Sequence, residues 1–187
     1  MGQALAAIFL LLSTTLSGAE SDYTAARRKL DLIESDRLRP GSRVVLTSAE
    51  LNAVARHEVA EAAPDGVRNP QLELGVNAAT GTALVNFAKL QRSRGESPGW
   101  LMSKLLEGER SVKVSSRIRS GGGQATVDID RVEIGGVAIQ GAVLDYLIRD
   151  YLLPRFPGAK IGEPFRFGHR IDHFEIEPNA VTVVIGR

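Results

Sequence analysis

The chain has no cysteine and few aromatic side chains, and both shortages limit what it can be. Its 187 residues include one tryptophan, three tyrosines and six phenylalanines. Without cysteine it can form no disulfide, no thiolate metal site, no thiol nucleophile and no cysteine-linked lipid anchor. A domain of this length must therefore be stabilised by packing, and it has few bulky rings to fill its core.

The sequence also lacks an excess of charge and the common catalytic motifs. Its 23 basic and 22 acidic residues give a net charge of +1 at pH 7, with the two signs interspersed. Nucleic-acid-binding proteins show a basic patch, so we expect no nucleic-acid partner. The sequence contains no Gly-x-Ser-x-Gly elbow and no P-loop, so we expect a protein that is not an enzyme.

The apolar run at residues 4–16 is too short to span a membrane. It has 13 residues, whereas a membrane-spanning helix needs about 20. Ser17-Gly18-Ala19 follows it and forms a small-x-small cleavage site, although no Lys or Arg precedes the run. We predict a cleaved signal peptide over residues 1–19, one domain over residues 20–187, and a periplasmic or secreted protein. An uncleaved anchor is the alternative.

A capped helix is the element around which we expect the sheet to fold. Thr47 and Glu50 have the spacing of a capping box, with the threonine at the N-cap. A short strand at residues 43–47 leads into the helix, which is predicted over residues 48–63, and another helix precedes it at 23–34. The apolar positions that recur at helical spacing are Leu51, Val54, Ala55, Val59 and Ala62.

Most of the remaining chain alternates between apolar and polar residues, which is typical of half-buried strands. The alternation predicts a hairpin around a turn at residues 78–81, a longer one around a turn at 120–123, and a last one around 177–180. A phase shift near Arg131 predicts a bulge that bends the sheet.

Residues 143–153 are predicted to form the second main helix, and its apolar arc is wider than one sheet requires. The arc covers about 180°, whereas a helix on one sheet needs little more than ~100°. The extra width predicts a second apolar neighbour, which is the first helix, a partner or a ligand. A short helix opening at Ser97-Pro98 carries Trp100 beside basic residues, which suits contact with a membrane surface. An ordinary connection with a buried tryptophan is the alternative.

Histidine is a common metal ligand, but the histidines of this chain do not have the spacing of a metal site. In the stretch HEVAE (residues 57–61) a glutamate replaces the second histidine of the zinc-protease pattern, and Glu58 is predicted on the apolar face with His57 off it. His169 and His173, on one strand, would lie about 13 Å apart, too far for one ion. We predict no metal and no cofactor.

Two groups of charged residues have two interpretations each. Asp128 and Asp130 lie on the polar side of a strand, where a solvated face is more usual than an acid–base pair. Lys160, Arg166 and Arg170 form either a head-group contact or a solvated basic face.

Four stretches in this order resemble single-domain bacterial members of the tubular lipid-binding (TULIP) superfamily. They are LTSAELNAV, ALVNFAKLQ, DRVEIGGVAIQGAVLDYLIRDYLLPRFPG and FRFGHRIDHFEIEPNAVTVVI. The resemblance implies an α+β fold in which a long curved antiparallel sheet wraps around a main helix, with a second apolar helix beside it. It also implies an apolar groove that holds acyl chains.

The resemblance and the helix patterns together assign the site and the function. The lipid groove is assigned to Leu51, Val54, Ala55, Leu101, Leu105, Leu144, Leu147 and Ile148, and the membrane contact to Trp100. We expect extracytoplasmic binding or transfer of a lipid or other hydrophobic ligand. A non-enzymatic structural or adaptor protein of the cell envelope, with its core closed by side chains, is the alternative.

Overall fold

The computed structural model describes residues 4–64, 66–91, 104, 107–152 and 161–187. Over these ranges the chain is an α+β protein with two antiparallel sheets, one of them long and six-stranded. The helices are α1 (Ala4–Glu34), α2 (Ser48–Ala62), α3 (Phe87–Gln91) and α4 (Ala142–Leu147), and α4 continues as the π-helical segment Ile148–Leu152. The strands are β1 (Arg43–Thr47), β2 (Val67–Gly75), β3 (Ala78–Asn86), β4 (Glu109–Gly121), β5 (Gln124–Ile134), β6 (Val137–Ile139), β7 (Phe165–Arg166), β8 (Ile171–Glu177) and β9 (Ala180–Ile185).

The predicted capping box is present and starts α2. The backbone N–H of Glu50 donates to Thr47 Oγ1 at 3.2 Å, and the backbone N–H of Thr47 donates to Glu50 Oε2 at 2.8 Å. These two bonds satisfy amide groups that the first turn of a helix leaves without partners. Strand β1 therefore passes directly into α2 without an intervening loop.

The smaller sheet has the order β1-β9-β8 and packs on α1. Alternate residues of β1 and β9 face α1 and form what we call the α1 cluster, whose buried members are Ala26, Ile33, Val44, Leu46, Val183 and Ile185. Ala26 is completely buried where α1 meets the sheet. This cluster fixes the position of α2, whose Leu51 and Val54 pack against its edge.

The larger sheet has the order β2-β3-β4-β5-β6, and β7 pairs with β5. One face carries the α4 cluster, whose buried members are Ala63, Val85, Phe87, Leu90, Val132, Ile134, Ile139 and Leu147. Because Val112 pairs with Ile134 and with Ala83 in register, three neighbouring strands contribute to one apolar row. The register shifts by one residue between Ser115 and Ser116. The bulge predicted near Arg131 is thus confirmed.

The opposite face of the larger sheet is polar and carries ion pairs between neighbouring strands. Arg117 pairs with Asp130 and Arg119 pairs with Asp128, at 3.1 and 2.7 Å. The two aspartates therefore belong to a charged outer surface and do not form an acid–base pair.

The two sheets meet where β8 lies against the hairpin ends of the larger sheet. Ser120 Oγ donates to the carbonyl of Phe174 at 3.1 Å and accepts from its N–H at 2.9 Å. The N–H of Gly123 donates to the carbonyl of Asp172, and that of Asn77 to the carbonyl of Ile176. These contacts are polar, so β8 is attached to the hairpin ends by directional bonds.

Several sequence predictions need correction. The first hairpin turns at Val76-Asn77, and residues 78–81 belong to β3. Asn77 takes a φ of 51°, which asparagine tolerates better than most residues, so the turn needs no glycine. Glu58 is exposed and not on a buried face. The second main helix is α-helical only as far as Leu147.

Helix α1 runs through the proposed cleavage site after Ala19. Among the helices that the structure describes, none has the length and apolarity needed to cross a membrane. The signal peptide stays a prediction, and its removal would leave residues 20–34 of α1, which include the buried Ala26 and Ile33.

Candidate functional site: a half-buried apolar band

Between the α4 cluster and the line where β8 docks, the larger sheet has an apolar band that is only half covered. Strand alternation puts its members on the same face as the α4 cluster, and each of them is half-buried. The band consists of Leu72, Leu74, Gly81, Val114, Ser116, Ile118, Val127 and Ile129. Between Val114 and Ile129 the band crosses β4 and β5, which are the two longest strands. The strand residues of the band, which form its floor, therefore lie on the most extended part of the sheet.

Gly81 shows that there is open space above this band. It pairs with Leu72 on one side and Val114 on the other, in the middle of the sheet. A Cβ placed at Gly81 would meet no atom of the described residues within 4 Å. Gly66, at the edge of the α4 cluster, is the opposite case, because a Cβ there would overlap the side chain of Leu90. The same fold is thus closed at the α4 cluster and open at the band.

The predicted groove residues lie on the two sides of the band. Leu51 and Val54 pack against the α1 cluster, and Ala55 on the same helix is half-buried. Leu144 and Leu147 belong to the α4 cluster, and Leu147 is 8% exposed. Ile148 is half-buried at the start of the π-helical segment. In the structure the apolar face of α2 packs against the α1 cluster and that of α4 belongs to the α4 cluster. The two predicted helix faces therefore lie in different clusters.

The other predicted contacts cannot be placed. Trp100, Leu101 and Leu105 lie outside the described residues. The groove and membrane assignments of these three side chains stay predictions.

Sequence reasoning missed the floor of the band. Leu72, Val114, Ile118 and Ile129 lie in the stretches whose alternation predicts half-buried strands, but only helix residues were assigned to the groove. A signal in the sequence could have located the open part of the band. Gly81 and Ser116 are small residues at positions where a closed core has large side chains.

An arginine lies on the apolar face beside the α4 cluster. Arg110 pairs in register with Val85, which is buried, and alternation puts it on the same face as Val112. Its Nε is buried and has no hydrogen-bond partner among the described residues. One Nη donates a long bond of 3.4 Å to the carbonyl of Lys104. A buried guanidinium nitrogen that lacks a hydrogen-bond partner lowers the stability of the fold. Arg110 marks one end of the apolar face.

The histidines have separate partners. His57 stacks on Tyr23 with ring centroids 4.2 Å apart, and it lies 3.7 Å from Glu61. His169 lies 3.6 Å from Asp36, while His173 lies 2.6 Å from Asp172. In the part of the chain that the structure describes, no three potential metal-ligating side chains of His, Asp or Glu converge.

Glu50 is the most buried charged residue described beside the site, and as a whole residue it is 6% exposed. Lys29 Nζ on α1 lies 2.7 Å from its Oε1 and 2.8 Å from its Oε2. Burial alone would raise the pKa of Glu50, but the hydrogen bonds from Lys29 and Thr47 outweigh it and hold the pKa below its usual value. This ion pair attaches α2 to α1 and so fixes one side of the band.

Comparisons of the sequence with models of known families and with curated proteins give no match.

Proposed function

We propose that the protein binds a lipid or another amphipathic molecule outside the cytoplasm, with the apolar part of the ligand lying along the half-buried band. The observation that carries the proposal is the open space at Gly81. Because the apolar side chains of the band are only half-buried, a hydrocarbon chain lying on them would remove further apolar surface from water. The TULIP resemblance, which implies a curved sheet around a main helix and a groove for acyl chains, supports the same conclusion.

The band has suitable dimensions and chemistry for an extended hydrocarbon chain. Along β4, the band runs from Val114 to Ile118, a distance of about 13 Å at the usual rise per residue. Transfer of each methylene from water to such a surface contributes about 0.8 kcal/mol before the cost of ordering the chain. No catalytic role is part of the proposal. Binding and transfer need only the apolar floor and an entrance.

The alternative is an envelope adaptor whose core is closed by its own side chains. It is favoured by the packing of Leu51 and Val54 against the α1 cluster, because these residues already have protein neighbours. The adaptor and the lipid-binding protein differ in whether the space above Gly81 holds a ligand.

The test is to block that space. Gly81→Phe puts a ring over the band in a β-conformation that phenylalanine adopts readily. Thr82→Phe is the matched control, because the next residue of the same strand points to the polar face. Organic extraction followed by mass spectrometry should recover lipid from the wild type and from Thr82→Phe, and much less from Gly81→Phe. A fluorescent fatty acid added to delipidated protein should follow the same order.

Circular dichroism of both variants should match the wild type. The proposal fails if the wild type yields no lipid and binds no fluorescent fatty acid, and the adaptor function then replaces it. It also fails if both phenylalanine variants bind equally well.

A further inference from the structure

A cavity of about 460 Å³ lies where the turn between β4 and β5 meets β7 and the end of β9. Three arginines line it, namely Arg166, Arg170 and Arg187, together with Phe167 and Asp172. A second cavity of about 540 Å³ shares Asp172 and Arg187 with it. The three arginines come from different parts of the end of the chain, and the fold brings them to one place.

These arginines differ from those on the strands. Five strand arginines pair with carboxylates, and they are Arg43, Arg68, Arg117, Arg119 and Arg131. Within the described ranges none of the three cavity arginines makes an ion pair. The one carboxylate on the wall, Asp172, lies 2.6 Å from Nδ1 of His173. Among the side chains that line the cavity, three arginines therefore face one carboxylate, and positive charge is in excess.

The backbone around the cavity is held by hydrogen bonds. The N–H of Ile171 closes a tight turn on the carbonyl of Gly168 at 3.2 Å, and both central residues, His169 and Arg170, have φ near 54°. The carbonyl of Arg170 accepts from the N–H of Gly186 at 2.7 Å. Two consecutive non-glycine residues in this conformation are costly and persist only where the surroundings impose them. Arg170 is thus presented from a fixed turn.

We propose that this cavity binds a phosphate group. Guanidinium groups match phosphate oxygens in a bidentate manner, and several of them suit a group with more than one negative charge. Phe167, whose ring centroid lies 4.5 Å from that of Phe174, provides an apolar wall for the body that carries the phosphate. A phospholipid head group and a soluble phosphate compound share this chemistry. The site exists whether or not the band holds a lipid.

The test uses pyrophosphate as the probe and titration calorimetry as the measurement. The variant Arg166→Gln/Arg170→Gln removes two cavity charges, and Arg117→Gln/Arg119→Gln removes the same charge from the paired outer face. The cavity variant should bind pyrophosphate at least about tenfold more weakly than the wild type. The outer-face variant should bind nearly as tightly as the wild type. Added salt should weaken wild-type binding.

Co-sedimentation with vesicles containing phosphatidylglycerol identifies the source of the phosphate. Vesicle binding that pyrophosphate displaces supports the site with a lipid head group as ligand. Pyrophosphate binding without vesicle binding supports the site with a soluble ligand. The inference is overturned if the wild type binds neither probe, or if the two double variants lose equal affinity. Arg187→Gln is a third variant for use if the cavity double variant does not fold.

The two proposals fail separately. If Gly81→Phe binds pyrophosphate like the wild type and the wild type yields no lipid, the phosphate site stands and the lipid function does not. If lipid is recovered and pyrophosphate does not bind, only the phosphate site is wrong.

Discussion

Replacing Lys29 by methionine should destabilise the protein by removing the partner of a buried carboxylate. Lys29 Nζ reaches both oxygens of Glu50 at 2.7 and 2.8 Å, and it also donates to the carbonyl of Val45 at 2.7 Å. Methionine keeps the length and the apolar stem of lysine, so packing on α1 is preserved. What changes is the charge opposite Glu50.

The magnitude follows from the exposure of the two side chains. The Glu50 side chain is 8% exposed and the Lys29 side chain 34%. A hydrogen bond to a charged group contributes ~1.5–3 kcal/mol, and leaving a buried carboxylate unpaired costs about the same. Since solvent reaches the lysine and Thr47 still donates to Glu50, we expect a loss of about 2 kcal/mol. For a chain of this length this corresponds to a fall in Tm of about 4–8 °C.

The effect should depend on pH in a defined direction. The folded-state pKa of Glu50 is below its ordinary value of 4.5, so its ionised form contributes stability above that pH. This contribution is lost as the pH falls below 4.5 and through the folded pKa. The stability gap between wild type and Lys29→Met should therefore be largest near neutral pH and shrink in acid.

Urea unfolding at a series of pH values measures the gap, and Arg27→Met on the same helix is the control. Arg27 lies 3.1 Å from Asp31, but these side chains are 40% and 62% exposed, so its loss should cost at most about 0.5 kcal/mol. Equal losses for the two variants, or a gap that does not change with pH, would refute the reasoning.

Two further predictions concern the start of the chain and the apolar face. Mass spectrometry of the exported protein should show a chain that begins at Glu20, and Met1 retained in a membrane fraction would instead favour an anchor. Arg110→Met should raise the free energy of unfolding by about 1 kcal/mol, because it removes a buried donor that has no partner. A loss of stability in urea unfolding would show that the guanidinium is better satisfied than its contacts indicate.

Local signals in the sequence predicted much of the fold. The capping box at Thr47 and Glu50, the short strand before it and the phase shift near Arg131 all depend on residues close together in the chain. Each is confirmed at the predicted place. Such features are decided by hydrogen bonds and steric effects within a few residues, so a single sequence contains them.

The features that sequence reasoning missed depend on distant partners. The sequence around His173 and Phe174 does not indicate that β8 and β9 join β1 in a separate sheet. The pairing of these strands depends on which apolar sheet face packs against α1, which is far away in the sequence. The arginine cavity was predicted only in part for the same reason, since a head-group contact was one of two interpretations of Arg166 and Arg170. Arg166 and Arg170 were recognised as basic, but Arg187 joins them only through the pairing of β8 with β9.

The open band is explained by the kind of contact that holds β8 in place. If apolar packing joined the two clusters, they would be expected to close over Gly81, since voids lined by apolar atoms are unfavourable. Instead Ser120, Gly123 and Asn77 hold β8 at hydrogen-bond distance from the hairpin ends. Closing the band would shift those bonds, each worth about 1 kcal/mol. Ser116 is small, and its hydroxyl donates to the carbonyl of Ala79 at 3.1 Å. These polar contacts set the distance between β8 and the hairpin ends, and the apolar side chains of the band stay half-buried.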